Sequence, residues 1–259
     1  MKKEVPLFKV FMAPNAGEEV SKVLHSGFIG QGTKVDEFES QLSKYFNHDY
    51  ILTLNSATSA EHLAIHMLKN PSNTQIIFDG VGSAINHWPG IQDGDEVLTT
   101  ALTCTATNWP ILANNMKIKW VDIDPKTLNI DLDDLARKVG PKTKVIMVVH
   151  WGGYPVDLDK LKAIQEKAHK LYGFKPAVIE DCAHAFGSRY KGKLIGTHGN
   201  INTFSLQAIK HLTTGDGGLI VLPNEKLYER AKLIRWFGID RSKRNYNRKD
   251  FRLENDVLE

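Results

Sequence analysis

Asp181 and Lys210 are the residues whose types and setting suggest chemistry: an acid and an amine joined by a stretch rich in Gly, within residues 178–222. The segment VIEDCAHAFGSRYKGKLIGTHGNINTFSLQAIKHLTTGDGGLIVL reads as an apolar strand ending in Asp181, then a Gly-punctuated loop. A second strand carries Ser205 and runs into the Thr/Gly-rich loop around Lys210. A carboxylate at the end of a buried strand can hold a pyridine nitrogen protonated, and an amine in a small-residue loop can form an imine with an aldehyde. Together they are what a pyridine aldehyde needs, and the expectation is an enzyme dependent on pyridoxal 5'-phosphate (PLP). Alone, such a Lys is ordinarily a solvated side chain, and a strand-end Asp commonly caps a turn.

A phosphate needs its own holder. Residues 50–54 read as an apolar strand that runs into the small polar turn Asn55-Ser56-Ala57-Thr58-Ser59-Ala60, followed by a helix with Ala60, Leu63, Ala64, Met67 and Leu68 inward. Small residues at such a junction leave the first helical amides and the helix dipole open to an anion, although Ser and Thr also cap helices there for purely structural reasons.

The surrounding elements follow from periodicity. Helical spacing marks residues 18–25, with Val20, Val23 and Leu24 on one side, and residues 35–46, with Val35, Phe38, Leu42 and Phe46 on one face. Between them Gly27, Gly30 and Gly32 make either a close backbone approach or a plain connection. From Asp95 strands (96–102, 118–124, 144–151, 176–182) alternate with helices (105–112, 132–139, 158–172), which predicts an α/β protein with a mainly parallel sheet. Ligands bind such sheets beyond the carboxyl ends of the strands, where Asn55, Thr103, His150 and Asp181 fall. Residues 69–94, rich in turn formers, are an insertion over the site or a loop packed on another subunit. After Leu222 comes one charged helix and a basic, polar tail with too few apolar residues for a second domain.

The totals exclude several classes. Lys plus Arg number 33 against 30 acids, and a net charge of +3 is too small to point to nucleic acid. No apolar run reaches the length of a membrane span, and the first residues lack a signal peptide's apolar core, so no membrane association and a cytoplasmic location are expected. Cys104 and Cys182 are too few for a disulfide framework, lack metal-ligand spacing, and read as small buried hydrophobes. His62 and His66 are spaced like a helix-borne metal pair, but Glu61 is the one carboxylate near them and no metal site is expected.

The motifs NSATSAEHLA, GDEVLTTALTCTATNWPI, VDIDPKTLNID, VVHWGGYPVDLDKL, IEDCAHAFGSRYKGKLIG and FSLQAIKHLTTGDGGLIV resemble, in order, those of the DegT/DnrJ/EryC1/StrS sugar aminotransferases, from PLFK near the N-terminus to about Arg241. The resemblance implies an aspartate-aminotransferase-like (type I PLP) large domain, a mainly parallel sheet sandwiched by helices. It also implies a homodimer that moves an amino group from glutamate to a nucleotide-linked keto-sugar, and a place in polysaccharide biosynthesis. By the same resemblance Lys210 is the imine-forming lysine and proton shuttle, Asp181 pairs with the pyridine nitrogen, and His184 lies against the cofactor ring or its hydroxyl. Thr58, the backbone of Ser59, and Ser205 bind the phosphate. Gly215, Gly217 and Gly218 let the chain turn beside the cofactor.

Two departures stand out. Cys104 occupies a position that the family usually fills with an aromatic ring stacked on the pyridine. Family members also continue past ENDVLE with a small C-terminal domain, so residues 1–241 are expected to form the PLP-binding large domain and 242–259 the truncated start of the C-terminal segment. Two other readings compete with the aminotransferase. One is a PLP-dependent sugar dehydratase, whose chemistry replaces the lysine with His; the other is a non-catalytic protein that keeps the fold.

Overall fold

In a computed structural model of the protein, residues 6, 8–69 and 88–239 are described. Helices α1 (Ala16–His25) and α2 (Thr33–Phe46) precede β1 (Ile51–Leu54), α3 (Ala57–Met67), β2 (Glu96–Thr100), α4 (Thr105–Ala113) and β3 (Lys117–Val121). Next come α5 (Leu132–Lys138), β4 (Thr143–Val149), α6 (Leu158–Tyr172) and β5 (Ala177–Asp181). A short hairpin of β6 (Arg189–Tyr190) and β7 (Lys193–Leu194) leads to β8 (Ile201–Ser205), β9 (Gly218–Val221) and α7 (Glu225–Arg235).

The main sheet has the order β1-β9-β8-β5-β4-β2-β3. Pairs β2/β3, β2/β4, β4/β5 and β5/β8 are parallel, and β9 runs antiparallel to both β8 and β1. With β9 reversed between them, β1 and β8 point the same way, so Asn55, Thr103 and Asp181 come to one edge of the sheet as the alternation predicted.

Strands β4, β5 and β9 are buried on both faces, which is why they are mainly apolar runs rather than alternating ones. Successive side chains still part to opposite sides. Val145, Met147, Ala177 and Ile179 join Ala60, Leu63, Ala64 and Met67 of α3 in one core. Ile146, Val148 and Val178 join Leu42 and Phe46 of α2 and Leu161 and Ile164 of α6 in the other.

Four expectations change. Helix α1 forms, but its apolar side finds no cover: Val20 and Leu24 are exposed and the helix buries no residue. Helix α3 starts at Ala57, inside the expected turn, because Ser56 caps it. Cys104 is exposed at the start of α4, while Cys182 is buried as expected. His150 is fully buried rather than open to the strand-end crevice. Most of the 69–94 insertion and the boundary proposed at 241/242 lie outside the described residues; Trp88 is buried, its indole N–H donating to the Leu68 carbonyl at 2.9 Å.

Candidate active site

The start of α3 is shaped by a glycine on another element. A Cβ on Gly218, the first residue of β9, would stand 2.2 Å from the Ser56 carbonyl carbon and 2.5 Å from the Ala57 nitrogen. Gly218 thus brings the helix N-terminus onto the strand, and close approach, not a turn, explains it; Gly215 does take a positive φ of 86°. Ser56 Oγ accepts the Ser59 amide at 3.1 Å and donates to Ser59 Oγ at 3.1 Å. The Ser59 backbone, expected at the phosphate, is thus committed to the cap instead; the amides of Ala57 and Thr58 have no acceptor within the helix and, with the Thr58 and Ser59 hydroxyls, are the groups there that an anion could engage. Both side chains are half-buried.

At the end of β5, Asp181 is 5% exposed and held from two sides. Thr107, in the first turn of α4, donates to its Oδ2 at 2.7 Å, and the Ala183 amide donates to its Oδ1 at 2.9 Å. Thr103 in turn shares a hydrogen bond of 2.8 Å with Thr107.

His184 is half-buried, edge-on to Trp151 at 5.6 Å, and its Nδ1 accepts a long bond from the Gly152 amide at 3.4 Å. Burial, then the charge of Lys210, lowers its pKa, with Asp181 opposing, so the ring is neutral at physiological pH. That coupling puts Lys210 and Asp181 within electrostatic range of one imidazole. The Lys210 amine itself has neither an ion pair nor a hydrogen-bond partner among the described residues, and its backbone is fixed by a turn to Gln207 (2.9 Å). Ser205 ends β8 and its Oγ accepts the Gln207 amide at 3.3 Å.

His150 belongs elsewhere. Its Nε2 meets Glu180 Oε2 at 2.7 Å and its Nδ1 accepts the Val156 amide at 3.1 Å, while Asn200 donates to Glu180 Oε1 at 2.7 Å. Donor atoms of His150, Glu180 and Cys182 lie within 4.8 Å of one another, but these bonds already use both imidazole nitrogens and both carboxylate oxygens. The cluster is a satisfied part of the core.

A cavity of about 960 Å³ adjoins the α3 turn, lined by Asn55, Thr58, Ser59, His62, Trp109 and Arg235 among others. Asp181, His184, Ser205 and Lys210 do not line it. Sequence reading missed Thr107 and Glu61. Glu61 was legible in principle, since Glu61, Ala64, Ile65 and Leu68 share a helical stripe that is otherwise apolar.

The profile of the DegT/DnrJ/EryC1/StrS aminotransferase family matches residues 12–254. The GDP-perosamine synthase of Escherichia coli O157:H7 is 34% identical over 230 residues, 88% of this chain and 56% of that protein. The crystal structure of the sugar aminotransferase CalS13 from Micromonospora echinospora superposes with a TM-score of 0.85 at 44% identity, covering 96% of this chain and 62% of that one. A GDP-4-keto-6-deoxymannose-3-dehydratase with a trapped PLP-glutamate geminal diamine gives a TM-score of 0.78 at 28% identity, over 93% of this chain and 57% of that one. The chain spans about half the length of the curated relatives it matches. No helix among the described residues is long and apolar enough to cross a membrane.

Proposed function

The chain belongs to the DegT/DnrJ/EryC1/StrS aminotransferase family, an α/β fold whose cofactor is PLP, and from that premise we propose that it transfers an amino group from glutamate to a nucleotide-linked keto-sugar. The observation that carries this reading is Lys210, an amine in the loop after β8 with no partner among the described residues, which acts electrostatically on the same His184 imidazole as the firmly held strand-end acid Asp181. The same lysine speaks against the dehydratase reading, although a neighbouring structure is a dehydratase.

The donor set fits the cofactor's three demands. An anionic phosphate would meet the amides of Ala57 and Thr58 and the hydroxyls of Thr58, Ser59 and Ser205; a protonated ring nitrogen would meet Asp181; an aldehyde would meet Lys210. PLP bound there supplies a sink for the electron pair left when a substrate carbon loses its proton. Asp181 keeps the ring nitrogen protonated, since an ion pair at about 4 Å gains roughly 4 kcal/mol at an effective dielectric near 20. Neutral His184 packs against the ring without adding a competing charge. Lys210 Nζ takes the proton from the substrate carbon and returns one.

A homodimer in the cytoplasm completes the reading. It is supported by a run of exposed apolar residues that includes Phe8, Phe11, Val20, Leu24, Phe28 and Ile29; a monomer by light scattering at high concentration counts against it. The function itself is tested by absorbance of the purified chain with PLP, before and after glutamate. A near-visible band that moves to the ultraviolet with glutamate is expected, with borohydride fixing the cofactor on Lys210. Lys210→Ala should lose the band entirely; a variant that still traps PLP covalently would sink the assignment.

A further inference from the structure

Glu61 is the polar group near the crevice that the proposed function leaves unused. It lies on the sheet-facing stripe of α3 and is 1% exposed. Its carboxyl is within hydrogen-bonding reach of Asp181 at the end of β5, and among the described residues its buried Oε2 has no hydrogen-bond partner. The titratable groups facing it are Asp181 and, from the start of α4, Cys104; Cys182 lies within electrostatic range as well. All are acids, and none offers a positive charge.

Two ionised carboxylates present only lone pairs to each other, so a bond between Glu61 and Asp181 requires one proton. Asp181 already has a donor at each oxygen, Thr107 at one and the Ala183 amide at the other. Glu61 has the unserved oxygen, and burial, followed by the Asp181 charge, pushes its pKa well above the ordinary carboxyl range.

We propose that Glu61 is a positioning residue for the ring-binding acid, its carboxyl donating to the Asp181 carboxylate from α3 and fixing that carboxylate toward the ring of the bound cofactor. The inference rests on the proposed function. It accounts for an acid in a helix stripe where an apolar residue would pack at less cost. The third donor makes the Asp181 geometry independent of the ligand, and charge-assisted bonds of this kind are the strong ones.

The test uses the full chain as wild type, Glu61→Leu, Glu61→Gln, Asp181→Asn and the double variant Glu61→Leu/Asp181→Asn, titrated with PLP and followed by the near-visible band. Glu61→Leu should weaken PLP binding about tenfold or more without lowering the melting temperature of the cofactor-free protein. Glu61→Gln, whose amide can still donate, should stay within about threefold of wild type. In the Asp181→Asn background, Glu61→Leu should add nothing, because the two act through one bond.

Wild-type affinity in Glu61→Leu, or an undiminished further loss in the double variant, overturns the proposal. Should Glu61→Leu fail to fold, infrared spectra decide: wild type at neutral pH must show a protonated-carboxyl band that Glu61→Gln lacks, and no such band refutes the proposal. Wild type that borohydride cannot link to PLP at Lys210 sinks the functional reading and this inference with it. Normal trapping with an indifferent Glu61→Leu sinks this inference alone.

Discussion

Glu180 and Glu61 are sealed from solvent to the same degree, 0% and 1% exposed, and they approach the same strand end from different elements. Glu180, on β5, has a partner for each oxygen: His150 at one and Asn200 at the other, both at 2.7 Å. Glu61, on α3, has a buried Oε2 with no hydrogen-bond partner among the described residues. Burial alone therefore does not separate a structural acid from a functional one; the completeness of its hydrogen bonding does. A satisfied buried carboxyl ties elements together, here β4, β5 and the start of β8. An unsatisfied one beside a second acid costs stability, and its retention calls for an explanation in the chemistry of the crevice.

The contrast can be broken most forcefully from the sealed side. Glu180→Ala leaves the buried His150 and the half-buried Asn200 donors unpaired and should cost about 3–5 kcal/mol of folding stability, read by urea unfolding of the cofactor-free chain. Asn200→Ala removes one partner and should cost about 1–3 kcal/mol in the same assay. If either variant unfolds like wild type, the cluster is not the tie described.

Glu61→Gln gives the smallest effect and the sharpest one. An acid whose folded-state pKa is raised keeps a proton that the unfolded chain releases, so its contribution is fully present below the unfolded value of about 4.5 and is lost as pH rises toward the folded value. Wild-type stability should therefore decline with pH above about 4.5 more steeply than that of Glu61→Gln. Parallel stability–pH curves would mean that Glu61 is ionised in the folded state.

Much of the architecture could be read from the chain. The expected strand at 176–182 and helix at 105–112 form, as β5 (Ala177–Asp181) and α4 (Thr105–Ala113), because a short Val/Ile run and helix-favouring local sequence are local signals. The reversal of β9 was not legible, since GLIV reads the same in either direction. Nor was the bare face of α1: its pattern demands a covering surface but does not say which body supplies it. His150 misled because a strand end places a residue at the crevice edge without deciding which way its side chain turns.

By itself the sequence determined the alternation of strands and helices and the family, and it proposed the residues of the candidate site, because motif spacing and hydrophobic period are properties of short segments. Only the tertiary structure decided that Asp181 is held by Thr107, 74 positions away, that Gly218 makes room for the start of α3, and that Glu61 turns inward to face an acid. The physical reason is common to all three. Hydrogen-bond satisfaction and steric clearance belong to groups brought together by packing, and no local period in the chain encodes which distant atom arrives.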